Sequence, residues 1–345
     1  MVMEDQDLAK RLVEAVIADF PDDLRPDMEH RRPVHTIGIG LKGHFRASEA
    51  ARHWCVAKHF QGDPVSVNVR FSNGAGGPVQ HDGWSDVRGM ATRFHLPDGS
   101  ATDLIAMTLR EFFSRTVDDF LAFSKASEMQ PFTREGAWQK FKDMLHLVQP
   151  LANPLPGQTM TGAGGALAYS NHHLPDQLAV FDVGGIGAPV SYARAMFHAV
   201  HTFILTDPDG MHHPVRFDWR PTAGVKVTDP SLPPIDDYLQ PEIRERVKRW
   251  PVEFLLVATV AEAWDAIDDP TRPLPTHRKR VVMGTLTLTE VAADQEADCE
   301  KLGFNPCRLV PGIDLSGDPI LAARKDAYQW SQRRRGAASC PFAAG

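Results

Sequence analysis

The pattern of apolar and polar positions changes character several times along the chain. In residues 6–20, QDLAKRLVEAVIADF, apolar Leu8, Leu12, Val13, Val16, Ile17 and Phe20 recur at helical spacing, which predicts a packing helix ended by Pro21. Pro33 forces its predecessor out of the helical region, and Thr36–Leu41 alternates apolar and small residues, which predicts a strand. The extended pattern continues through HFRAS, and a helix is expected from Ser48 to about Phe60. In PVSVNVRFSN, Val65, Val67, Val69 and Phe71 point one way while Ser66, Asn68, Arg70 and Ser72 point the other. Further strands are expected over Asp86–Phe94, beyond a turn at Asp98 and Gly99, and over Glu253–Val260 and Arg280–Thr289. His201–Leu205 and Val215–Trp219 read as a hairpin joined by the turn DPDG. Helices are expected where Phe113, Phe120 and Phe123 share a face, over Pro241–Trp250, over Val260–Ile267, and over Asp318–Gly336. Residues 145–190, rich in Pro and Gly, are expected to wrap the surface.

Strands outnumber helices in this reading, and nothing resembles a linker, so one β-rich α+β unit spanning 1–345 is expected, with helices inserted and appended. The chain of 345 residues, 43% hydrophobic and 23% charged, has the make-up of a soluble globular protein with a substantial core. A formal net charge of −7 argues against nucleic acid or an anionic membrane as partner. The acidic N-terminus lacks a signal-peptide pattern and there is no run of 18 apolar residues, so a cytoplasmic location is expected. Cys55, Cys299, Cys307 and Cys340 are scattered without a C-x-x-C pair, which suggests reduced thiols and no zinc site.

Two stretches suggest chemistry. Gly38, Gly40 and Gly43 spell G-x-G-x-x-G with Asp63 beyond, the dinucleotide fingerprint by letter. That motif needs its last glycine at the start of a helix, whereas here the extended pattern runs on. The second stretch is the last predicted helix, DPILAARKDAYQWSQRRRG, in which Asp318 and Pro319 suit the entry and Gly336 the exit. At 100° per residue, Arg324, Tyr328, Ser331 and Arg335 fall within an arc of roughly 60°, so two guanidiniums flank a phenol on one face. An amphipathic surface helix with a half-buried tyrosine would show the same pattern.

The surrounding text adds a resemblance. VPGI at Val310–Ile313 followed by the R-x-x-x-Y of Arg324 and Tyr328 resembles the proximal haem segment of the haem catalases. RPVHTIG, VNVRFSN, DVRGMATRF, DLIAMTLREFF and HTFILTDPDG resemble further segments of that family, in the same order, over roughly residues 30–336. The resemblance implies a catalase-like antiparallel β-barrel, with 1–29 as N-terminal helix and arm, 30–300 as barrel core with the distal haem side, and 301–345 as proximal helix and tail. It implies haem b as cofactor. His35 would be the distal acid/base and Ser72 would orient it. Arg32, Arg70 and Arg335 would pair with the haem propionates, Val34 and Phe120 would pack on the porphyrin, Tyr328 would ligate iron with Arg324 on its oxygen, and His201 would lie on the proximal side. A guanidinium and a ferric ion both favour a phenolate over a phenol. One histidine can carry a proton from the near to the far oxygen of a peroxide, work typically worth about 10²- to 10⁴-fold.

The chain also departs from the family. Met107 stands where the family has its catalytic asparagine, and a thioether cannot donate a hydrogen bond to peroxide; Thr108 is its neighbour. Gly74 replaces a bulkier channel residue, which suggests a wider access route, while Asp86 keeps the channel acid. These departures point to a catalase-related peroxidase that uses hydrogen peroxide or an organic hydroperoxide to oxidise small organic donors, with weak catalase activity and a smaller oligomer, a homodimer. Turnover of a fatty-acid hydroperoxide, in the manner of catalase-like allene oxide synthases, and non-enzymatic haem binding remain the alternatives.

Overall fold

The computed structural model describes residues 10, 13, 14, 30–74, 81–83, 86–126, 169, 170, 172–229, 231 and 237–336. Among these, the strands are β1 (Gly38–Ala47), β2 (Val65–Asn73), β3 (Arg88–His95), β4 (Ala101–Met107), β5 (Phe197–His198), β6 (Phe203–Thr206), β7 (His212–Pro221), β8 (Val252–Val260), β9 (Arg280–Val291) and β10 (Ile313–Leu315). The helices are α1 (Val117–Ala126), α2 (Leu174–Gly185), α3 (Leu239–Arg249) and α4 (Pro319–Arg334). The order β7-β5-β4-β3-β2-β1-β9-β8 closes into an antiparallel barrel because β8 also pairs with β7, and β6 and β10 extend the sheet beyond β7. Closure leaves these strands without an unpaired edge.

Alternation in β2 becomes two faces. Phe45 on β1 meets Trp219 on β7 at 6.1 Å, and Phe71 on β2 meets Phe254 on β8 at 6.0 Å. These strands are not neighbours, so the contacts cross the lumen, which Phe60, Phe94 and Phe197 help to fill. Each such ring pair adds about 0.5–1.5 kcal/mol beyond its buried area. Since Val65, Val67, Val69 and Phe71 take the lumen face, Arg70 and Ser72 point out of the barrel, where the chain before β1 passes over them.

The structure departs from the sequence reading in three places. Residues 48–60 form no continuous helix; short 3₁₀ turns at Ala51–His53 and Lys58–Phe60 flank an extended link. There the Val56 N–H donates to the Thr206 carbonyl at 2.9 Å and the Cys55 thiol to the Gly312 carbonyl at 3.2 Å, partners that an uninterrupted helix would forgo. Residues 260–267 are turns, with the Ala261 N–H on the Pro214 carbonyl and Arg278 clamped to Asp265 and Glu262. Conversely, α2, which the sequence reading did not predict, forms inside the stretch 145–190 expected to wrap the surface. Residues 10, 13 and 14 are helical, while the rest of the helix expected over 6–20, and residues 145–168, lie outside the described residues.

The three glycines of the G-x-G-x-x-G all lie in β1, not at a helix entry. At Gly38 a Cβ would fall 2.5 Å from the Arg70 guanidinium carbon, so this glycine lets Arg70 lie across the strand.

Candidate active site

Ser72, near the end of β2, and Gly89, near the start of β3, are register partners, and His35 lies against both. The His35 Nδ1 sits 3.0 Å from the Ser72 Oγ. A Cβ on Gly89 would come within 2.6 Å of that Oγ and 2.8 Å of that Nδ1, so glycine is what allows the imidazole and the hydroxyl to meet. His35 has φ of 54°, a strained left-handed conformation for a non-glycine residue. Its N–H donates to the Gly74 carbonyl at 3.2 Å and its carbonyl accepts from Arg70 at 2.9 Å, which pins the strained residue on both sides. Burial first, and then the charges of Arg70, Arg324 and Arg32, pull the His35 pKa down to about 3, so the ring is neutral at physiological pH and free to take a proton.

Arg32, Arg70 and Arg335 converge as expected, but on a residue the sequence reading did not pick out. Arg32 donates to the Glu300 carboxylate and to the Cys299 and Leu302 carbonyls. Arg70 donates to Glu300 Oε1 at 3.0 Å, and Arg335 to the Glu300 carbonyl at 2.5 Å. Two guanidiniums share the one Glu300 carboxylate and a third rests on that residue's carbonyl, which leaves an excess of positive charge. Burial, then the neighbouring Arg70 and Arg335, pulls Arg32 down to about 9, and burial pulls Arg335 down to about 10. A ligand with two carboxylates would match this excess. Val34, next to His35, is 42% exposed, an apolar side chain suited to a flat apolar ligand. The residues present therefore fit haem, whose two propionates and apolar ring call for this combination.

On α4, Arg324 donates to the Tyr328 hydroxyl at 2.8 Å and to His201 Nε2 at 2.7 Å. Because Nε2 accepts, the His201 proton sits on Nδ1 and is donated to Asp318 Oδ2 at 2.5 Å. The other oxygen of Asp318 caps α4, accepting from the Ile320 and Leu321 N–H groups. Burial holds His201 down at about 4 although Asp318 opposes it, which keeps the ring neutral between carboxylate and guanidinium. The sequence showed Asp318 only as a helix cap; its grip on His201 depends on a contact across 117 positions.

Phe120 packs on Phe112 and Phe113, with centroids 5.6 and 5.3 Å apart, and Met107 joins the same apolar cluster. The Thr108 hydroxyl accepts from the Arg88 N–H at 2.9 Å, which ties it to β3. Asp86 pairs with Arg88 at 3.2 Å and accepts from the Gly74 N–H. A Cβ at Gly74 would lie 2.6 Å from the Val87 carbonyl oxygen, 2.9 Å from the Val87 Cβ and 3.0 Å from Asp86 Oδ1, so Val87 and Asp86 occupy the space beside this glycine.

The comparisons with known proteins agree with this geometry. The catalase family profile matches residues 25–154 and 169–340. A catalase-related peroxidase of Mycolicibacterium paratuberculosis is 32% identical over 88% of this chain and 88% of its own length, and one of Synechococcus elongatus is 26% identical over 89% and 84%. Among solved structures, a fungal catalase superposes with a TM-score of 0.70 at 21% identity, and catalase A of Saccharomyces cerevisiae with 0.69 at 22%. The chain covers 60% and 61% of those two, and they support the fold alone. With the family profile spanning most of its length, the chain belongs to the catalase family.

Proposed function

We propose that the chain is a haem-dependent peroxidase that uses hydrogen peroxide, or a small organic hydroperoxide, to oxidise small organic donors and evolves oxygen only weakly. The catalase-related peroxidases among its relatives and the family's haem support this reading. The observation that carries it is the gathering of distant residues: Arg324 donates to the Tyr328 hydroxyl and to His201, while Arg70 donates to the His35 carbonyl and, with Arg32, to Glu300. Haem b, when bound, would supply the electrons that split the peroxide O–O bond. The protein holds and steers. Arg32, Arg70 and Arg335 would bind the two propionates, Val34 and Phe120 would cover the ring, and Tyr328 would offer its oxygen to the iron. Arg324 favours the phenolate form of that oxygen, and the His201–Asp318 pair keeps Arg324 aimed at it.

His35, neutral and oriented by Ser72, takes a proton from the nearer peroxide oxygen and returns it to the farther one, which leaves as water. Disproportionation asks for a second peroxide held by hydrogen-bond donors in the pocket. Met107, at the asparagine's position, has none to offer, so donor oxidation outruns oxygen release. The expected result with the purified holoprotein is faster peroxide-dependent oxidation of a phenol than oxygen evolution at the same peroxide concentration; the reverse order refutes the proposal. His35→Ala should slow the peroxide step by about 10²- to 10⁴-fold with haem still bound, and Tyr328→Phe should shift the Soret band.

A further inference from the structure

A row of rings leads away from the proposed haem site. Arg324, bonded to Tyr328, lies 5.9 Å from the Phe112 ring. Phe112 stacks on Phe113 with centroids 4.2 Å apart, Phe113 meets Phe123 at 4.6 Å, and Phe123 meets Tyr169 edge-on at 6.0 Å. Tyr169 in turn stacks on the His173 ring at 3.8 Å, with planes 7° apart. The row thus passes from the site to a half-buried phenol that keeps an exposed edge.

Tyr169 differs from the other tyrosines. The Tyr192 hydroxyl is bonded to Asn73, that of Tyr238 to the Pro189 carbonyl, and that of Tyr328 to Arg324. The Tyr169 hydroxyl makes no hydrogen bond among the described residues. Burial, then Asp176 and Asp119, holds its pKa above the ordinary value, so at neutral pH it is an intact phenol that must shed a proton when it loses an electron. A phenol is far easier to oxidise than a benzene ring. On this row Tyr169 is therefore where an oxidising equivalent would come to rest, while the phenylalanines only shorten the gaps an electron crosses.

We propose that Tyr169 is a second site of donor oxidation, serving phenolic groups carried on molecules too large to reach the haem pocket. It rests on the peroxidase reading above. With haem bound and hydrogen peroxide as the oxidant, one electron would pass from Tyr169 through Phe123, Phe113 and Phe112 towards the haem site; the phenolic proton would leave to water, and Tyr169 would become a neutral tyrosyl radical. A phenolic group docked against it gives up one electron and one proton, which restores Tyr169 and leaves the donor as a phenoxyl radical. Two such turns supply the two electrons and two protons that convert one hydrogen peroxide into two waters.

The test uses the holoprotein, Tyr169→Phe and Tyr169→Trp, with a free phenol and the same phenol coupled to dextran. The ratio of dextran-phenol to free-phenol oxidation should fall at least tenfold in Tyr169→Phe, which keeps the ring stack, and recover in Tyr169→Trp, which restores an oxidisable ring. Freeze-quenching after peroxide alone should give a tyrosyl electron paramagnetic resonance signal that Tyr169→Phe abolishes. A ratio unchanged in Tyr169→Phe, or a tyrosyl signal that survives the substitution, overturns the proposal. If the wild type oxidises neither donor and only evolves oxygen, the peroxidase reading falls; the resonance signal then decides for or against Tyr169 by itself.

Discussion

Gly89 shows how much of the site depends on a missing side chain. His35 and Ser72 are close because nothing projects from the facing strand, and a methyl there would overlap both. Gly89→Ala should therefore slow the peroxide step nearly as much as His35→Ala, while the Soret band and the haem content stay those of the wild type. Steady-state kinetics and a spectrum of the same sample check this, and a variant with normal turnover would show that His35 has room to spare. At this scale the shared helical face of Arg324, Tyr328 and Arg335 was legible from spacing alone, whereas His35, Arg32 and Arg70 were picked out only through the resemblance to the haem catalases. Gly89 and Glu300 escaped notice, since one acts by absence and the other is an acid in an acidic stretch until Arg32 and Arg70 arrive from across the chain. Although burial opposes it, those two arginines hold the Glu300 carboxyl below its usual range.

Among the elements, α4 does two jobs through its N-cap residue. Asp318 satisfies the orphan N–H groups of the first turn with one oxygen and fixes His201 with the other. The two jobs can be separated. Asp318→Asn keeps a good cap, so thermal stability should drop less than in Asp318→Ala, which adds the loss of a cap, about 1 kcal/mol. Both should disturb the spectrum of the bound haem, because both remove the negative charge behind His201; melting curves and absorption spectra of the pair distinguish the effects. Capping and periodicity made α4 readable from sequence, as alternation did β2. The helix expected over 48–60 failed because Val56 and Cys55 are claimed by Thr206 and Gly312, partners some 150 and 257 positions away that no local pattern reveals. The helix α2 was missed for the opposite reason: Leu174 and Leu178 are exposed, so its apolar positions do not mark a single buried face.

For the whole molecule, the acids under α2 set a pH dependence. Glu111 is fully buried, and burial, then the neighbouring Asp182, pushes its pKa up to about 8. Burial, then Asp119, pushes Asp176 up to about 7. Both are raised above their ordinary values of 4.5 and 3.8, so between those values and the raised ones the folded chain holds more protons than the unfolded chain. Stability contributed by these groups is present at low pH and is lost as pH climbs through that window. Below pH 6.5 the depressed imidazoles of His35 and His201 act in the opposite sense, so the fall belongs above that value: melting temperature should decline from pH 6.5 to pH 8, and Glu111→Gln should flatten the decline by removing the charge; a slope that Glu111→Gln leaves intact would assign it to other groups.

The barrel closes only when β8 and β9 have joined β7 and β1, and α4 follows all of them in the chain. A polypeptide emerging from the ribosome thus exposes His35 and Ser72 long before it has made Tyr328. Iron porphyrin that arrived early would find an imidazole but no phenol opposite. On the proposed reading, capture would wait until α4 has been made, which would keep a reactive metal away from fragments unable to restrain it and would make pigment in the purified protein a sign that translation had run through α4.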